Sequence, residues 1–263
     1  MSVQGVEKER TRRNIIRMGA IGASAIFASL GTIRRAGAVP VPLPVPTPPP
    51  IHCFLRGTTI RTGDGGRNVE DLAIGDLLPT MFGGLRPIQW IGRYPIKKSD
   101  PSKPWPKSAR PVRIARSALA ANVPQADLFV TQAHCVFIDD VLVSAGLLVN
   151  DATITLCEAG ELNELEFFHI KLESHDVIYA EGAPVETLLN VDESAVNFAD
   201  YFRMYGAPTI DEAPCLPMLS NWRRESRFRS AMSWAGRRKR IGAIRGRLEE
   251  RAVARSQELE PSL

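Results

Sequence analysis

His52-Cys53-Phe54-Leu55-Arg56-Gly57-Thr58-Thr59-Ile60 is the stretch on which the reading turns, because a proline-rich approach stops there and a globular pattern begins abruptly on a cysteine. Immediately upstream, residues 39–50 hold seven prolines in twelve positions. That density forces an extended polyproline II segment with a solvated backbone, a stiff spacer (39–52) leading to the cysteine.

Further upstream, residues 1–38 have the order of an export signal. Thr11-Arg12-Arg13-Asn14-Ile15-Ile16-Arg17 is charged, Met18 to Leu30 is apolar and small, and Ala36-Gly37-Ala38 ends the segment like a cleavage site. The apolar run is too short for the ~20 residues of a stable membrane span. Its paired arginines resemble a bacterial twin-arginine signal, which implies an exported, periplasmic or membrane-associated protein.

Charge is uneven along the chain. Residues 1–38 carry seven Lys/Arg against two Asp/Glu, residues 39–220 fourteen against twenty-two, and residues 221–251 eleven against three. The pI near 9.0 therefore describes the ends, not the acidic body. A nucleic-acid function based on overall basicity would attach to the wrong segment and is not expected. Cys53, Cys135, Cys157 and Cys215 form no Cys-x-x-Cys pair, so neither a zinc ribbon nor a disulfide scaffold is signalled. No cofactor motif is present, and neither a cofactor nor a metal is expected.

Downstream of Cys53, short β-like runs alternate with Gly, Asn and Asp punctuation: Thr58–Thr62, Val69–Leu72, Gly75–Leu78, Pro87–Gly92, Val112–Ile114, Leu128–Val130, Cys135–Ile138, Val141–Val143, Ala152–Leu156, Glu166–Leu172 and Val177–Tyr179. Such spacing predicts a compact all-β domain over 53–190. Phe168, Ile170 and Leu172 alternate with Phe167, His169 and Lys171, the half-buried strand pattern. Lys97 to Pro111, with four prolines, reads as a loop. Residues 191–263 read as a mostly helical basic tail, with one amphipathic helix carrying Trp222, Phe228, Met232 and Trp234, a break near Gly236, and a second helix over Ile241–Ala254.

Four blocks together carry a resemblance. Cys53 with Gly57-Thr58-Thr59-Ile60-Arg61-Thr62 and Val69-Glu70-Asp71-Leu72, then Pro87–Arg93, then Thr131-Gln132-Ala133-His134, then His169 through Glu186-Thr187, lie in order over about half the chain. They resemble the Hint domain, the self-processing module of hedgehog proteins and inteins, in its bacterial hedgehog/intein-like branch. The resemblance implies a pseudo-symmetric, horseshoe-shaped all-β fold.

The chemistry follows from the residues. A thiol on the first residue of a domain reaches the carbonyl of its own preceding residue, His52, through a five-membered ring, converting the amide into a thioester. Intramolecularity of this kind corresponds to roughly 7 kcal/mol of barrier. A base must still activate a thiol whose ordinary pKa is ~8.5, and the departing nitrogen must gain a proton. His134 is the candidate for polarising and protonating that nitrogen, and Thr131 for hydrogen-bonding the same peptide. Both converge only if the chain turns at Gln132-Ala133, since residues three apart on a flat strand face opposite ways. Cys135, next to His134, is expected in the core.

His175 is a further candidate, since in splicing inteins a histidine before the closing strands assists cyclisation of a terminal asparagine. Glu186-Thr187 occupies the place of that His-Asn pair, so splicing is not expected. What remains is cleavage before Cys53, with the chain's own N-terminal segment as substrate and water or a small nucleophile resolving the thioester. Asp176 and Asp139 are candidates for activating that nucleophile. The rival class is a non-catalytic Hint-fold binding module at the cell envelope. A zinc site of His52, Cys53, His134 and Cys135 is disfavoured because adjacent His-Cys residues make poor joint ligands. The basic tail suits either an anionic membrane surface or docking on the acidic body.

Overall fold

The computed structural model describes residues 52–189, 199–206, 213–220 and 234–259. The leader, nearly all of the proline spacer, and Trp222, Phe228 and Met232 lie outside the described residues.

Short strands dominate, as the alternation requires. β1 (Phe54–Leu55), β2 (Thr59–Thr62) and β3 (Gly65–Asn68) are followed by β4 (Leu77–Thr80), β5 (Gly84–Pro87) and β6 (Trp90–Lys97). After the 98–111 loop come β7 (Val112–Ile114), β8 (Leu128–Val130), β9 (Cys135–Ile138) and β10 (Val141–Ser144), which runs into the single helical turn α1 (Ala145–Leu148). β11 (Ile154–Leu156), β12 (Glu164–Lys171), β13 (Val177–Ala180) and β14 (Ala183–Glu186) complete the domain. Beyond it lie α2 (Ala199–Tyr205), β15 (Met218–Leu219) and α3 (Trp234–Leu259).

The strands form a six-stranded sheet ordered β11-β7-β8-β1-β12-β6, a seven-stranded sheet ordered β15-β10-β9-β14-β13-β2-β3, and a β4-β5 hairpin. Turn chemistry supports the bends. Gly57, at φ +85°, takes a left-handed conformation disfavoured for side-chain-bearing residues, and its N–H donates to Glu70 Oε2 at 2.8 Å. The central core draws on both large sheets, with Phe54, Ile60, Val112, Val136, Phe168, Ile170 and Val185 among its buried members.

β12 departs from the half-buried expectation, because Phe167 to Leu172 are all buried. Phe168, Ile170 and Leu172 enter the main core. Leu165 and Phe167 on the other side pack with Cys53 and with Trp105 from the proline-rich loop, which folds over that face instead of standing in solvent. Trp105 Nε1 donates to Leu162 O at 2.8 Å, and Gln132 Nε2 donates to the carbonyls of Lys107 and Arg110, so the loop is pinned at its middle and at its C-terminal end.

In the tail, the helix expected over Ile241–Ala254 lies within α3, which begins at Trp234 and holds Gly236 in its first turn. The helix expected before Gly236 falls on residues outside the described ones. Ile244, Leu248 and Ala252, a buried stripe at i, i+4, i+8, anchor α3, with Ile244 and Leu248 in the main core. Its arginines meet body acceptors: Arg247 pairs with Asp139, Arg240 bonds Asp139 O, and Arg251 Nε donates to Ser117 O at 2.9 Å. Among the described residues no helix is long and apolar enough to cross a membrane.

Candidate functional site around Cys53

β1 lies between β8 and β12, antiparallel to both, with Phe54 opposite Val130 and Phe168. One step back along those registers, Cys53 must stand between Thr131 and His169. It does. Thr131 N donates to Cys53 O at 3.0 Å, and Cys53 N donates to Thr131 Oγ1 at 3.0 Å. The nitrogen of the His52–Cys53 peptide is therefore held by the threonine named from the sequence.

His169 was quoted only as part of a strand, yet its ring lies against the thiol. Both its ring nitrogens lie 3.3 Å from Cys53 Sγ, and Nδ1 lies 3.1 Å from the His52 carbonyl oxygen. A carbonyl only accepts, so the hydrogen of the neutral ring sits on Nδ1 and Nε2 is the basic nitrogen. Burial pushes the His169 pKa down to about 3, so the ring is neutral. Trp90 stacks on it, with ring centroids 6.4 Å apart and planes 19° apart. Gly92 faces His169 across the β6–β12 ladder, and a Cβ there would meet the Trp90 indole at 2.2 Å. Burial raises the Cys53 pKa well above its ordinary value, so the resting group is a thiol in need of a base.

The chain turns at Gln132–Ala133, as convergence demanded, with His134 N donating to Thr131 O at 3.1 Å. The His134 ring is buried against Phe54, centroids 4.4 Å apart. Burial drives its pKa down to about 4, partly offset by the Glu186 charge and by the nearby main chain of Glu186 and Cys53. Among the described residues neither ring nitrogen has a hydrogen-bond partner, which costs a buried polar group about 1–3 kcal/mol.

His175 is tied to Glu186 and to the main chain at Cys215. Cys215 N donates to its Nδ1 at 3.0 Å, which leaves the hydrogen on Nε2, 3.3 Å from Glu186 Oε2. Glu186 is fully buried. Val136 opposite Val185 sets the β9–β14 register, and Cys135 N donates to Glu186 Oε1 at 2.6 Å. The same oxygen lies 2.6 Å from His52 Nδ1. Burial alone would raise the Glu186 pKa, but His52 and His175 hold it well below the carboxylate range. Glu186 thus grips the side chain of the residue whose carbonyl faces Cys53. Its chemical class could have drawn notice in the sequence, as a carboxylate in a closing strand, but not its partner.

The remaining candidates lie apart. Asp176 is buried and accepts from Phe82 N and Val177 N, with Arg86 Nε 3.4 Å away, which ties the β4–β5 hairpin to the body. Asp139 occupies the β9–β10 turn at φ +50° and faces the arginines of α3. Neither adjoins Cys53. Cys135 is buried with Leu142 and Val177, as expected, and none of the four cysteines, all of them described, is in a disulfide.

The Hint domain family matches residues 52–192. Among solved structures the chain is similar to the crystal structure of the gp41-1 intein (15% identity, 51% of this chain and 97% of that chain, TM-score 0.31). It is similar also to the solution structure of a bacterial intein-like domain from Clostridium thermocellum (13%, 52% and 98%, 0.36) and to the crystal structure of the MchDnaB-1 intein (12%, 51% and 98%, 0.34). No curated protein matches it in sequence.

Proposed function

The chain belongs to the Hint domain family, and from that premise we propose that it cuts its own backbone before Cys53 by an N–S acyl shift followed by attack on the thioester. The observation that carries this reading is the single imidazole of His169 touching both Cys53 Sγ and the His52 carbonyl oxygen.

In the proposed reaction, His169 Nε2 takes the thiol proton as Sγ bonds to the His52 carbonyl carbon. The negative charge passes to the carbonyl oxygen, where Nδ1–H of the same ring stabilises it. The C–N bond then breaks, giving a thioester between His52 and Cys53 Sγ and a free amine on Cys53. That nitrogen needs one proton, and the one the thiol gave up is on His169. His134 is the proposed donor: its neutral ring gives its N–H to the nitrogen and regains a proton from the His169 imidazolium. Both rings end neutral and the count closes without an outside acid, while Thr131 orients the peptide. His175 acts through Glu186 as a positioning residue. Water or a small nucleophile then displaces Sγ, releasing residues 1–52. With Glu186-Thr187 where an intein carries His-Asn, the work ends at cleavage. The leader supports export, and on this reading the cleaved domain resides at the cell envelope.

Purified full-length protein treated with hydroxylamine is expected to divide between His52 and Cys53, with the hydroxamate on the His52 fragment seen by intact mass. Cys53→Ala is expected to stay whole. Division of the Cys53→Ala protein at that bond, or an intact wild-type mass after prolonged hydroxylamine, overturns the proposal.

A further inference from the structure

Two of the four residues considered for zinc in the sequence do meet, but not with the partners anticipated. A ring nitrogen of His52, Cys135 Sγ and a Glu186 carboxylate oxygen all lie within 4.8 Å of one another. Cys53 packs in a separate apolar cluster from Cys135 and faces His169 instead. Adjacent residues in sequence are poor joint ligands, and here the donor set draws one residue from each of three separate stretches of chain.

We propose that His52, Cys135 and Glu186 form a binding site for a divalent metal of the zinc class, with a fourth position left to water. One nitrogen, one thiolate sulfur and one carboxylate oxygen are the mixed donors that zinc accepts, and three protein ligands plus an open position is one of its two common arrangements. A tetrahedral site with bonds of about 2.0–2.3 Å separates its donors by roughly 3.3–3.7 Å. The His52–Glu186 pair, at 2.6 Å, must therefore open by less than about 1 Å to admit the ion.

The surroundings are those of a ligand set already oriented. Glu186 Oε2 takes the Nε2–H of His175, whose other nitrogen is committed to Cys215 N–H. His175 thus orients the carboxylate and is itself unsuited to bind metal, because Nε2 keeps its hydrogen. Cys135 N holds Glu186 Oε1, and Ser144 Oγ lies 3.7 Å from Cys135 Sγ, placed to donate to a thiolate. His52 has a side chain 16% exposed, which gives an entry path to an otherwise buried site. On binding, the thiol proton leaves and the hydrogen between His52 Nδ1 and Glu186 moves off Nδ1. The inference stands without the cleavage reaction. If cleavage occurs, His52 departs with residues 1–52, so the site is whole only in the uncut chain.

The test uses the full chain carrying Cys53→Ala, which keeps His52 attached and removes the competing thiol. Titration with cobalt(II) is expected to give one equivalent bound, with a thiolate-to-metal charge-transfer band and tetrahedral ligand-field bands, displaced by zinc. Adding Cys135→Ser is expected to abolish the charge-transfer band and weaken binding by roughly 100-fold or more, and His175→Asn to weaken it by roughly 10- to 100-fold. Should Cys135→Ser lose its folded circular dichroism, His52→Ala, outside any strand, carries the same expectation of weakened binding. Absence of a one-to-one complex, or binding unchanged in Cys135→Ser or His52→Ala, overturns the proposal. Loss of cleavage alone would leave this result untouched.

Discussion

Cys53 and Thr131 are bonded to each other twice, once through Thr131 N–H to Cys53 O and once through Cys53 N–H to Thr131 Oγ1, both at 3.0 Å. The first bond is main chain and survives any substitution at 131 other than proline. The second is a side chain on the reacting nitrogen. Thr131→Val, which keeps the shape, is expected to slow hydroxylamine-induced cleavage about 5- to 150-fold, corresponding to ~1–3 kcal/mol for a buried hydrogen bond lost. Thr131→Ser is expected to restore most of the rate; equal rates for Val and Thr would remove the hydroxyl from the reaction.

His169 is expected to matter more. His169→Asn leaves a hydrogen-bond donor for the carbonyl but no base for sulfur, and cleavage should fall by about 10²–10⁴-fold. A fall under about threefold in rapid-quench assays of fragment release would assign thiol activation elsewhere.

Gly92 is expected to act on His169 through Trp90. A methyl group at Gly92 collides with the indole, so Gly92→Ala should cost about 1–3 kcal/mol in urea denaturation and slow cleavage as the ring loses its backing. In a Trp90→Leu background the same substitution should cost markedly less, since the clash is gone. Equal costs in both backgrounds would refute the contact.

Acid should unfold the domain from a high pH threshold. Burial lowers the pKa of His134 to about 4 and that of His169 to about 3, from 6.5 in both cases. A depressed histidine contributes stability that is complete above 6.5 and lost as pH falls toward the folded value. At ~1.4 kcal/mol per unit, the His134 shift corresponds to about 3 kcal/mol lost between pH 6.5 and about 4. Glu186, lowered by its histidine partners, adds loss in the same direction at more acid pH. Urea unfolding of Cys53→Ala should show a plateau above pH 6.5 and a decline below it. His134→Leu should flatten the decline; an unchanged slope would contradict the assignment.

Leu248 tests whether α3 belongs to the fold. It is buried in the main core, so Leu248→Ala is expected to cost about 2–5 kcal/mol, visible as a lower melting temperature. A change under about 0.5 °C would mean that the helix contributes nothing to the core, against its observed packing.

The short strands, the thiol at the start of the domain and the Thr131–His134 turn were legible in the chain, because alternation, punctuation and three-residue spacing are local properties. His169 and Glu186 were not legible as neighbours of the peptide before Cys53. Their places depend on which strands flank β1 and β9, and in which register, which is a matter of pairing between residues distant in sequence, such as Phe54 with Phe168 and Val136 with Val185. What covers α3 was not legible for a related reason. A helix's apolar stripe states that something covers it, but only the tertiary structure shows that Ile244 and Leu248 join the main core.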